Sequence, residues 1–130
     1  MGLGFDIRLW YTPDAIAPDQ LALALRDFDS RMALERVSLA AWSSYGFKFF
    51  KELVASGRGE IILDGGYPIL YAVDADAVVP FLTEGGVSTL EAGLETTSGF
   101  ATHHKVVLRD EAIVACPAGA TLYFEAWDQS

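Results

Sequence analysis

The stretch PDQLALALRDFDSRMALERVSLAAWSSYGFKFFKELVAS, residues 18–56, decides the fold. Leu21, Leu25, Phe28, Met32, Glu35, Leu39, Trp42, Gly46, Phe49 and Leu53 follow alternating steps of four and three, and eight of these ten are apolar. That spacing predicts one face of a helix, or of two helices in succession. Pro18 suits a first helical position and Gly57 a C-terminal cap. Lys48, Lys51 and Arg58 complement the helix dipole near that end. Gly46 costs about 1 kcal/mol relative to Ala inside a helix, so a kink or break is expected near Ser43–Gly46. The competing reading makes residues 33–41 a strand and ranks second. The expected core face is Leu25, Phe28, Met32, Leu39, Trp42, Phe49 and Leu53.

Upstream, Phe5, Ile7 and Leu9 alternate with Asp6 and Arg8, which predicts a strand over residues 3–11. Downstream, two apolar runs, Glu60–Asp64 and Tyr67–Val73, flank Gly65-Gly66, the pattern of a tight hairpin. Pro68 places one side of its strand at an edge. Asp74-Ala75-Asp76 then opens a short helix, limited by Pro80 and ended by Gly85-Gly86. The remainder predicts a β meander, with strands at 87–96, 100–109, 112–116 and 121–127. In its first hairpin Glu91 and Glu95 share the polar face, with Glu91 opposite Lys105 and Gly93 opposite His103. The fold class is therefore α+β: a mainly antiparallel sheet of about six or seven strands, packed against one long or two consecutive helices. Its length of 130 residues, 52% of them hydrophobic, fits a single domain over 1–130.

Charge is unevenly placed. Residues 1–59 hold seven acids and seven bases, whereas residues 60–130 hold eleven acids and two bases, the whole net −9. From Gly59 to His104, 46 residues pass without one Lys or Arg. Such a field repels nucleic acid and anionic lipid and favours a basic protein partner. The plainer explanation is solubility. The candidate partner-binding residues are Asp74, Asp76, Glu84, Glu91 and Glu95.

Motifs of chemistry are sparse. His103-His104 would point to opposite faces of a strand, which does not suit one metal ion. Cys116, the single cysteine, reads as a small buried hydrophobe; a two-residue turn at Asp110-Glu111 would set it opposite Lys105. Asp74-Ala75-Asp76 is explained by helix capping and Asp64-Gly65-Gly66 by the hairpin. No catalytic residue, metal or cofactor is expected. The start lacks a basic segment and an apolar core, and no long apolar run follows, so a cytoplasmic, non-membrane protein is expected.

The profile is similar to that of bacterial immunity proteins: small, acidic, soluble and without catalytic motifs. They neutralise a toxin domain, often a basic nuclease, by covering its active surface with carboxylates. The likeness lies in charge and size and in no particular residues. It implies a non-catalytic binding protein whose partner is a basic toxin domain. Two alternatives stand beside it. One is a small enzyme or ligand-binding domain with a pocket among Trp10, Trp42, Tyr67, Tyr71, Tyr123 and Trp127, in which His103, Glu91 and Glu95 are the acid–base candidates. The other is a structural homo-oligomer, such as a homodimer, joined through a Tyr123/Trp127 edge.

Overall fold

The computed structural model describes residues 4–44, 46–65, 68–92 and 103–128, with the backbone alone at 84–92 and 103–106. The order is β1 (Phe5–Tyr11), α1 (Pro18–Arg26), α2 (Phe28–Ala33), β2 (Val37–Ser44), α3 (Lys48–Ala55), β3 (Gly59–Asp64), β4 (Ile69–Asp74), α4 (Ala75–Ala92), β5 (His103–Leu108), α5 (Asp110–Ala115) and β6 (Thr121–Asp128). The six strands form one antiparallel sheet in the order β3-β4-β6-β1-β2-β5. This is the α+β class read from the sequence, a sheet packed against helices.

Particular elements differ from expectation. Residues 18–56 are not one helical block: residues 37–44 form β2, paired to β1 on one side and β5 on the other. The strand ranked second is therefore present, shifted a few residues downstream. Asp27 explains the first break. Its carboxylate accepts from the Ser30 amide at 3.0 Å and the Ser30 hydroxyl at 2.9 Å, capping α2 and ending α1. Those bonds, the amide first, hold the Asp27 carboxyl below its usual range, so the cap persists at neutral pH and is lost as acid protonates it. Ladder bonds on both edges then override helical spacing in β2. Phe28 and Met32, expected in the core, are 64% and 65% exposed. The break expected near Gly46 lies there, between β2 and α3. Gly57 caps α3 with φ +85°: Arg58 N–H donates to the Leu53 carbonyl and Gly57 N–H to that of Val54. Lys48 opens α3 rather than closing it, 3.9 Å from Glu52 one turn on.

The predicted hairpin is present as β3–β4; Gly66 and Tyr67 lie outside the described residues. Pro68 precedes β4, which is internal, and the edge is β3. The C-terminal meander is replaced in part by helices. Helix α4 runs through Pro80 and Gly85-Gly86 to Ala92, over residues assigned to a strand from 87. Burial of Ala75, Ala77, Val78 and Leu82 under the sheet outweighs the missing proline amide in its first half. Residues 110–115 form α5, not a strand: Asp110 and Glu111 suit a helix N-terminus, Ile113 is buried and Val114 is 81% exposed. A five-residue apolar run, Ala112–Cys116, does not separate these states by period. Strands β5 and β6 fall in the expected residue ranges, but β5 pairs with β2, and β6 with β1 and β4. The meander and its 87–96/100–109 hairpin are therefore not formed, residues 87–92 being helical and 93–102 outside the described residues. Among the described residues no helix is long and apolar enough to cross a membrane.

Helices cover both faces of the sheet. On one, Ile7, Leu9, Trp42, Tyr71, Leu122 and Phe124 meet α3, α4 and α5. The Phe50 ring of α3 stacks on Phe124 with centroids 4.2 Å apart, and Phe47 packs on Phe124 at 5.1 Å. On the other, Trp10, Leu70 and Tyr123 receive Leu21 and Leu25 of α1. Gly59 is required where β3 crosses β4, because a Cβ there would lie 2.9 Å from the Ala72 carbonyl oxygen.

Urea unfolding separates this packing from a single helical stripe. Phe124→Ala should cost about 3–5 kcal/mol and Leu39→Ala about 2–5. Phe28→Ser and Met32→Ser should each stay within about 0.5 kcal/mol. Equal losses at Phe28 and Leu39 would contradict the arrangement.

Candidate functional site

Alternation along β1 and β6 builds a polar cluster inside the sheet. Asp6, Arg8 and Trp10 of β1 stand opposite Trp127, Glu125 and Tyr123 of β6, all on the face away from Phe124. Glu125 sits in a central strand and is 2% exposed. A buried carboxylate is costly unless its oxygens are bonded. Here Trp10 Nε1 donates to Oε1 at 2.8 Å, Trp127 Nε1 donates to Oε2, and Arg36 Nη1 lies 3.4 Å from Oε1. Two indoles and one guanidinium thus meet one side chain.

The linker after α2 and α2 itself bring the cations. The Arg36 guanidinium lies 5.3 Å from the Trp10 ring centre, and that of Arg31 lies 5.0 Å from the Trp127 ring and 5.6 Å from Phe28. Asp6, Arg8, Arg31, Met32, Arg36, Glu125 and Trp127 line an open cleft of about 360 Å³. Sequence reading missed it. The available signal was Glu125 itself, a lone acid in the apolar run Leu122–Trp127, which asks for partners wherever that run is buried.

The aromatic set proposed for a pocket divides between the faces. Trp42 and Tyr71 belong to the Phe124 core, whereas Trp10, Tyr123 and Trp127 lie on the Glu125 side. Tyr67 is outside the described residues. Tyr123 and Trp127 do not form an edge for self-association, because β6 is hydrogen-bonded to β4 and β1; the edges are β3 and β5. Burial raises the phenol pKa of both Tyr71 and Tyr123, helped by Asp64 and Glu60 respectively.

Three of the five predicted acidic residues, Asp76, Glu84 and Glu91, lie along α4. Asp74 ends β4 with Arg58 Nη2 at 3.9 Å. Asp76 lies in the first turn of α4 and accepts from the Gly119 amide at 3.1 Å. Glu84 and Glu91 are carried by the same helix. Glu91 is therefore not paired with Lys105 across a hairpin, and the expected Glu91/Glu95 strand face is replaced, at Glu91, by a helix position. Glu95 lies outside the described residues. At 100° and 1.5 Å per residue, positions 76, 84 and 91 fall within about 80° of one another around the helix and span about 22 Å along it.

His103 and His104 stand on edge strand β5, opposite Ser44 and Ser43 of β2. Among the described residues no three His, Cys, Asp or Glu side chains gather as a metal site. Cys116 caps the C-terminus of α5, so the expected strand register opposite Lys105 does not form. Burial pushes its thiol pKa up, and the Asp76 carboxylate adds to the rise. A raised thiol is a poor nucleophile at neutral pH.

Glu125→Leu should leave the buried Trp10 indole N–H unmet, at about 1–3 kcal/mol. Glu125→Gln keeps one acceptor and should fall between Leu and wild type in urea unfolding. A Leu variant as stable as wild type would contradict this role. For Cys116, reaction with a disulfide reagent should begin at higher pH in the folded chain than in urea, and an earlier onset in the folded chain would contradict the assigned environment.

The chain matches no protein-family model, no curated protein and no solved structure, so the case for a function rests on its own residues.

Proposed function

We propose that this chain is a non-catalytic acidic binding protein that docks a basic protein partner, in the manner of a bacterial immunity protein covering a toxin domain in the cytoplasm. The observation that carries the reading is α4. It is continuous from Ala75 to Ala92, holds acids at positions 76, 84 and 91 on one side, and contains no Lys or Arg. A helix presents such charges at fixed spacing, which a solvated loop does not. Carboxylates in a row raise the rate of encounter with a basic surface and disfavour acidic competitors. Asp74 and Asp76 contribute less, since Arg58 and the Gly119 amide already answer them. Glu84 and Glu91, further along the same helix, are the positions the test addresses.

The test is affinity capture from the source organism's lysate, followed by binding kinetics on the captured basic protein. Glu84→Gln/Glu91→Gln should slow association by about threefold or more at low salt, and the difference should shrink as salt approaches about 0.5 M. Dissociation should change little if the residues lie at the rim. Failure to capture any basic protein, or identical rates for both chains across the salt series, would overturn the reading.

A further inference from the structure

The cleft beside Glu125 has a charge opposite to that of the chain. Three arginines line it beside two carboxylates, Asp6 and Glu125, in a protein of net charge −9. Glu125 engages Arg36. Asp6 answers Arg8 only at 3.9 Å, with both side chains about half exposed. The Arg31 guanidinium has no carboxylate within 4 Å among the described residues, and donates to the Leu25 carbonyl at 3.2 Å. Each guanidinium carries five N–H donors, more than the one carbonyl bond of Arg31 or the one carboxylate bond of Arg36 employs.

The cleft is also held in shape. Glu125 fixes the Trp10 and Trp127 indoles through their N–H groups, and those rings in turn support Arg36 and Arg31. Guanidinium groups held over aromatic rings lose less freedom on binding an oxyanion than free surface arginines do. Met32, 65% exposed, adds an apolar wall beside Trp127. The Arg31 guanidinium lies over the Trp127 ring and Met32 lines the same cleft, so donors and apolar surface adjoin, which suits a ligand with an anionic head and an apolar body.

We propose that this cleft binds a small organic anion, with its carboxylate or phosphate head against Arg8 and Arg31 and a flat apolar body against Trp127 and Met32. The site is independent of the acidic face of α4. Calorimetric titrations at fixed ionic strength use phenyl phosphate and benzoate to separate the two heads, and benzyl alcohol as the neutral control. One or both anions should bind saturably, with Kd of about 1 mM or below, as a dozen-atom ligand allows. Benzyl alcohol should bind at least about tenfold more weakly. Arg8→Ala, at an exposed position, should keep the fold by circular dichroism and weaken the anion by about fivefold or more. Asp6→Asn removes the competing carboxylate and should tighten it. Absence of saturation up to about 20 mM, equal binding of benzyl alcohol, or unchanged affinity in Arg8→Ala would overturn the assignment.

Discussion

The last strand holds the molecule together. β6 lies between β4 and β1, and its five residues Leu122 to Ala126 are all buried. Strand alternation sends Leu122, Phe124 and Ala126 into the core under α3, and Tyr123 and Glu125 to the opposite side. Until residues 121–128 arrive, β4 and β1 have no common neighbour and the β3–β4 hairpin is detached from the rest of the sheet. The fold is thus closed by a pairing between strands more than a hundred residues apart, and loop-closure entropy must be met before that contact returns any energy. The stacked Phe50 and Phe124 rings supply apolar burial at that join, and Glu125 supplies the polar one.

Much of this was legible locally. The alternation of Phe5, Ile7 and Leu9 marks β1, the paired glycines mark the β3–β4 turn, and Gly57 marks the end of α3. The balance of helix and antiparallel sheet follows from these signals. The failures share a cause. Residues 37–44 have helical spacing on paper, yet they occupy a strand because β1 and β5 offer ladder bonds on both sides. Phe28 and Met32 continue the same stripe but fall on α2 after Asp27 has restarted the helix, so their side chains turn outward. α4 passes Pro80 and two glycines because its first half is buried beneath the sheet. For β2 and α4 a partner distant in sequence decides between two states that the local pattern leaves close in energy, and for α2 the local Asp27 cap on Ser30 decides.

The two functional features differed in the same way. A long interval without Lys or Arg is a property of the sequence and was visible there, though its geometry was not: Asp76, Glu84 and Glu91 lie along a helix and not on a hairpin. The cleft required convergence of β1, α2, the α2–β2 linker and β6, and no short motif records that. Its parts were nonetheless individually unusual. A glutamate in a buried strand demands donors, and this chain supplies Trp127 from the same strand and Trp10 and Arg36 from elsewhere in the sequence. The result is a chain with opposed fields, acidic along α4 and cationic at the Glu125 cleft.

Native-state hydrogen exchange tests the central role of β6 most directly. The amides of Leu122 to Ala126, with those of Ile7 to Leu9 beside them, should exchange only through global unfolding, at the same free energy as the urea transition. The edge strands β3 and β5 should open at lower cost. Exchange of the β6 amides as fast as those of β3 or β5 would contradict a sheet closed by its C-terminal strand, and with it the buried setting of Glu125.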